Sequence, residues 1–110
     1  MPTAARFVVM WGTPSDPGAF ERHYREVHVP LVRQLPGLRR YTLSRNVVRI
    51  RGEEAFYLVG ELDWDDMAAL SEAFDSPAGR ATAEDVAKLG RYATVRSQVF
   101  ELEDLSLIHI

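Results

Sequence analysis

Apolar positions along the chain switch between two periods, and the switches mark the elements. Ala5 to Trp11, ARFVVMW, is a short β-branched and aromatic run closed by the turn signal Gly12-Thr13-Pro14, which predicts a first strand. Phe7, Val9 and Trp11 fall on one face and Val8 and Met10 on the other, so both sides of this strand require cover. The period then becomes helical. Asp16 is placed to cap and Pro17 to open a helix running to Leu35, with Phe20, Tyr24, Val27 and Leu31 on one face and His28 beside them. Pro30 lacks an N–H and crowds the carbonyl of Glu26, which predicts a kinked or loosened turn there. Pro36-Gly37 ends the helix in a turn where Gly37 can adopt positive φ.

Leu38 to Ile50 and Phe56 to Trp64 predict a second and third strand, paired antiparallel across a hairpin loop at Arg51-Gly52-Glu53-Glu54. Asp65 is placed to cap a second helix, with Asp66 in its first turn and an apolar stripe of Met67, Leu70 and Phe74. Ser76-Pro77 signals a fresh start, so a further helical segment runs to Leu89, with Gly90 suited to the position after it. Tyr92 to Leu102 alternates as a fourth strand, and the tail from Glu103 to Ile110 carries Leu105, Leu107, Ile108 and Ile110. The order βαββαβ is that of an α+β, ferredoxin-like fold: a four-stranded antiparallel sheet with helices on one face. The uncovered face keeps apolar residues. A second copy packed sheet to sheet is the simplest cover, giving a dimeric α+β barrel in which the tail reaches across the interface.

Composition narrows the class. The 110 residues suffice for one domain, 1–110, with its own core, and the absence of cysteine excludes disulfides and thiolate metal sites. A net charge of −3 with both signs dispersed argues against nucleic acid as a partner. No stretch has the length of a membrane span and none resembles a signal peptide, so a soluble cytoplasmic protein is expected.

The candidate chemistry centres on His28. On an apolar helix face a histidine is either a packed neutral ring or a polar group lining a pocket, and Tyr24 one turn earlier is placed to share a hydrogen bond with it. No G-x-G-x-x-G motif marks a nucleotide cofactor site, and no cofactor is expected. No metal is expected either, because His23, His28 and His109 are few and the first two, five apart, face different sides of a regular helix. Arg39, Arg40, Arg45, Arg49 and Arg51 cluster around the second strand, where charge protects an edge from pairing or favours an anionic partner.

The run Gly12-Thr13-Pro14, Asp16, Phe20, Tyr24, His28-Val29-Pro30-Leu31 and Leu35-Pro36-Gly37-Leu38-Arg39-Arg40-Tyr41 resembles the N-terminal signature of EthD-type proteins, and Phe74 to Asp85 is similar to their second helical segment. That resemblance implies the dimeric α+β barrel superfamily, whose members include cofactor-independent monooxygenases, polyketide cyclases, isomerases and haem-degrading enzymes. It also marks His23 as a departure, since relatives often carry another aromatic there, which reads as a solvated face. A fold shared by so many chemistries does not choose among them. The residues themselves predict a pocket between the first helix and the sheet, with His28 as general base, Tyr24 as its orienting partner, and Trp11, Tyr41, Tyr57, Trp64 and Phe74 as aromatic walls for a small, mostly apolar, aromatic or polyketide-like compound. The competing expectation is a homodimer without catalysis that binds a small molecule or accompanies an enzyme.

Overall fold

The computed structural model describes residues 3–106. Strands β1 (Ala5–Trp11), β2 (Arg40–Ser44), β3 (Leu58–Trp64) and β4 (Val95–Glu101) form one antiparallel sheet in the order β2-β3-β1-β4. Helices α1 (Pro17–His23) and α2 (Val29–Val32), joined by a widened turn, connect β1 to β2, while α3 (Met67–Asp75) and α4 (Pro77–Leu89) connect β3 to β4. This is the expected α+β, ferredoxin-like arrangement.

Alternation sorts the sheet into two faces. Ala5, Val9 and Trp11 of β1 and Leu58, Leu62 and Trp64 of β3 are buried beneath the helices. Pairing register puts Arg6, Val8 and Met10 on the opposite face with Val59, Glu61 and Asp63 of β3 and Phe100 of β4. Arg6 bridges Asp63 at 2.7 Å and Glu61 at 2.9 Å there, so the uncovered face mixes apolar side chains with a charge network of both signs.

The first helix departs from regular geometry where proline predicted trouble. Residues Tyr24–His28 form a π-helical turn, with the Val29 N–H bonded to the Tyr24 carbonyl five residues back. A wider turn eases the crowding that the Pro30 ring would impose on the preceding carbonyl. Its consequence is a shifted stripe: Phe20, Tyr24, His28 and Val32 are buried, while Val27, expected inside, is 40% exposed. The helical run ends at Val32 rather than Leu35, and a turn then leads to Gly37, which takes φ +72° under the Trp64 ring.

Three further expectations are corrected. The second strand stops at Ser44 rather than Ile50, because Asn46 turns to positive φ and Val48 and Ile50, 80% and 86% exposed, find no surface to pack on. The connection to β3 is therefore a long loop and not a hairpin closed at 51–54. Asp66, not Asp65, caps α3, accepting a 2.8 Å hydrogen bond from the Ala69 N–H, while Asp65 pairs with Arg39 in solvent. Gly90 keeps a right-handed φ of −59°. Ser76 does close α3 and open α4, its hydroxyl accepting from the Gly79 N–H. The tail's Leu107, Ile108 and Ile110 lie outside the described residues, and within these Leu105 is exposed.

The cap assignment is testable. Asp66→Ala should lower stability by about 1 kcal/mol, the usual worth of an N-cap carboxylate, and Asp65→Ala should change it much less; urea denaturation of both variants measures the difference.

Candidate functional site

Helix α4 follows the same burial rule as the rest of the core. Gly79, Thr82, Asp85 and Leu89 are its buried positions, spaced three and four apart along the stripe that faces the first helix. A carboxylate on that stripe must be paired. Asp85, only 2% exposed, is held from both sides: Oδ1 lies 2.7 Å from His23 Nε2 and Oδ2 lies 2.9 Å from His28 Nδ1.

That arrangement corrects two expectations. Five residues on a regular α-helix subtend about 140°, which separates His23 from His28; across the π-helical turn they stack instead and meet one carboxylate. His23 is therefore not simply a solvated position, although its side chain is 29% exposed. The partner of His28 is Asp85 and not Tyr24, whose ring packs against the imidazole at 5.0 Å between centroids.

The second ring nitrogen of His28, Nε2, makes no hydrogen bond among the described residues, and the His28 side chain lines a cavity of about 240 Å3. With Nδ1 committed as donor to a carboxylate, Nε2 carries the lone pair. Burial lowers the pKa of His28 below its ordinary value; Asp85 pulls the other way and His23 adds to the lowering. The ring is thus neutral near pH 7 and able to accept a proton.

The cavity lies between the helices and the sheet. Phe7, Val9 and Leu62 form its floor, Val32, Phe74 and Val86 close it from the helices, and among the described residues no Lys, Arg, Asp or Glu side chain lines it. Its polar edge comprises His28, Tyr24, Tyr41, Thr82 and Ser97. The Thr82 hydroxyl is already committed to the Ala78 carbonyl at 2.8 Å. Tyr24 and Tyr41 hold their hydroxyl oxygens 3.4 Å apart, a loose contact. Burial raises both phenol pKa values, and the contact with Tyr24 partly offsets this at Tyr41. Both remain protonated at neutral pH, and either oxygen can donate in this contact; when Tyr24 does, the Tyr41 O–H is left free. Beside this pair, a Cβ at Gly60 would meet the Val9 side chain at 2.9 Å.

The structure brings together four of the residues expected at the pocket: His28, Tyr24, Tyr41 and Phe74. It places three elsewhere. Trp11 is fully buried against Phe20 and Tyr24, and its Nε1 makes no hydrogen bond among the described residues. Trp64 donates to the Pro36 carbonyl at 2.9 Å, and Tyr57 donates to Glu21 at 2.7 Å on the surface beyond Phe20. Asp85 is the residue that sequence reasoning missed. Its signal was a carboxylate in register with Thr82 and Leu89 on an otherwise apolar helix stripe. Of the arginines, Arg39 and Arg45 are paired with Asp65 and Glu21. Among the described residues no group of three or more His, Cys, Asp or Glu side chains is arranged to hold a metal ion, and no helix is long and apolar enough to cross a membrane.

Comparison with known proteins bears on this geometry. The EthD domain matches residues 13–89. An uncharacterised 11.0 kDa protein of the thcB-thcC intergenic region of Rhodococcus erythropolis is 34% identical over 82 residues, covering 74% of this chain and 80% of that protein. The crystal structure of an ethyl tert-butyl ether degradation (EthD) family protein from Bacillus halodurans is 33% identical and superposes with a TM-score of 0.75 over 86% of this chain and 96% of that one. SnoaB, a cofactor-independent oxygenase from Streptomyces nogalater, shares the fold at a TM-score of 0.66 and 21% identity, covering 97% of this chain and 99% of its own. The signature around His28 and Pro36-Gly37, the matched domain and the superposed relative agree: this chain belongs to the EthD family.

Proposed function

We propose that this protein binds a small neutral aromatic or carbonyl compound in the cavity beside His28 and removes a proton from it, with His28 as general base. The observation that carries the reading is the Asp85–His28 hydrogen bond, which holds Nδ1 as donor and leaves Nε2 as acceptor at the wall of an apolar cavity. A carbon next to a carbonyl, or a phenol, gives its proton to Nε2; the electron pair moves onto the substrate oxygen, and the Tyr41 O–H donates to that oxygen as it gains charge. Asp85, hydrogen-bonded to Nδ1, stabilises the imidazolium that forms. Among the described residues the lining has no cationic side chain to offset a carboxylate or phosphate, so anionic ligands carry a desolvation penalty here. A volume of about 240 Å3, below the roughly 300–1,000 Å3 of drug-sized sites, suits one or two rings. The proton-transfer step requires no cofactor, and cofactor-independent oxygenation is known for SnoaB on the same fold.

The working unit in this reading is a homodimer. Val8, Met10, Val59 and Phe100 share the uncovered sheet face with Arg6, Glu61 and Asp63, and a surface with both charge signs is self-complementary under two-fold rotation.

Three measurements test these statements. In D2O, α-proton exchange of 2-tetralone followed by NMR should accelerate with the native protein and fall about 100-fold or more in His28→Gln, the usual scale for loss of a general base; equal rates in the two proteins would refute the base. Retained binding of 2-naphthol without exchange in the native protein would turn the site into a binding site only. Sedimentation at micromolar concentration should give a dimer for the native chain and a folded monomer for Val8→Glu, which sets a second carboxylate opposite Glu61. The third follows from linkage. Because the folded pKa of His28 lies below its ordinary 6.5, the unfolded chain takes up the proton first as pH falls, so stability is full above that value and declines below it toward the folded pKa. Thermal midpoints between pH 8 and 5 should show this decline, and His28→Gln should flatten it.

A further inference from the structure

We propose that His23 is a positioning residue for His28, acting through Asp85 to fix the orientation of the buried imidazole. The inference rests on the reading of His28 as a base and extends it to a residue that lies outside the cavity.

A carboxylate anchored through one oxygen can swing about its side-chain torsion, and then Oδ2 no longer points at His28 Nδ1. His23 supplies the second anchor at 2.7 Å on Oδ1. The π-helical turn places both imidazoles on the same carboxylate, so the distance between the two anchors is set by backbone and not by a flexible linker. Burial grades along the set: the His28 and Asp85 side chains are each 3% exposed and that of His23 is 29% exposed. His23 is the member that meets solvent. A single carboxylate divided between two rings binds each less strongly than it would bind one, and the charge of His23 itself opposes protonation of His28. Asp85 from α4 and His23 from α1 are the groups whose charges act on His28; Tyr24 from the adjoining π-helical turn and Tyr41 from β2 complete its titratable surroundings and stay neutral. No ion pair joins His23 to any group other than Asp85 among the described residues.

Two variants separate positioning from packing. His23→Phe keeps ring bulk and removes the donor; His23→Gln keeps an N–H that can reach Oδ1 and removes the titrating charge. The native protein, labelled with 15N at histidine, should show His28 as the Nδ1–H tautomer, titrating below an ordinary histidine. In His23→Gln, which removes the charge of His23 while still holding Oδ1, the His28 midpoint should rise by roughly half a pH unit or more; in His23→Phe it should move less, because the loosened Asp85 carboxylate offsets the lost charge. Exchange of 2-tetralone should drop about tenfold in His23→Phe and stay near native in His23→Gln, since only the latter holds the carboxylate. An unchanged exchange rate in a folded His23→Phe protein would overturn the proposal. Should His23→Phe not fold, an unmoved midpoint in His23→Gln overturns it equally. The tautomer and midpoint are read without ligand, so absence of exchange in the native protein would refute the base while leaving His23's coupling to His28 to be judged by the titration.

Discussion

One buried carboxylate organises the interior of this protein. Asp85 sits where α4 meets the first helix, and a lone charge at that depth would cost several kcal/mol. Two imidazoles from one helix satisfy it, one on each oxygen. Each needs the other's geometry: His28 lies at the cavity because its Nδ1 is tethered to α4, and α4 lies close because its carboxylate is satisfied. Gly79 serves the same approach from the other side, since a side chain there would collide with the backbone of α3 at Ala73 and Phe74. Packing and chemistry are therefore the same contact seen from two sides.

The helix that supplies both imidazoles is irregular for a reason that lies in its sequence. Proline at position 30 removes one hydrogen-bond donor and crowds the turn before it, and the backbone answers with a five-residue bond from Val29 to Tyr24. The extra width rotates everything after Tyr24. Val32 replaces Leu31 as the buried aliphatic residue, Val27 moves toward solvent, and His28 turns inward from the edge of the stripe to its centre. Without the widened turn, His23 and His28 would diverge and Asp85 would keep one partner at most.

This explains which parts of the structure were legible in the chain. The βαββαβ order, β1 from Ala5 to Trp11, the cap at Asp16, the positive φ of Gly37 and the break at Ser76-Pro77 all follow from local signals that act over a few residues. The site was half legible. His28, Tyr24 and Tyr41 announced themselves as polar or amphipathic groups on apolar faces, and Phe74 as an aromatic on a helix stripe. What stayed hidden depended on distant partners or on a change of period. Trp64 and Tyr57 have the composition of pocket walls, but the Pro36 carbonyl and the Glu21 carboxylate claim their polar ends. Val47, Val48 and Ile50 have the composition of a strand and no neighbour to pair with. The His23–His28 pair was concealed by an assumption of 3.6 residues per turn.

The arrangement of proton donors and acceptors also limits what chemistry the cavity can support. At one wall stands an imidazole kept neutral by burial, and at another two phenols kept protonated by burial. Desolvation acts in opposite chemical senses on these groups, since it favours the uncharged form of each: the base without its proton and the acids with theirs. An apolar cavity therefore prepares an acceptor and a donor together, with no charged side chain among the described residues on its lining to compete for either. In the proposed reading, a ligand that enters neutral, ionises at carbon or at a phenolic oxygen and places the resulting charge on an oxygen near Tyr41 gains more from both groups after the proton has moved than before. Such selectivity for the ionised intermediate over the bound ground state is what separates a proton-transfer site from a pocket that merely fits.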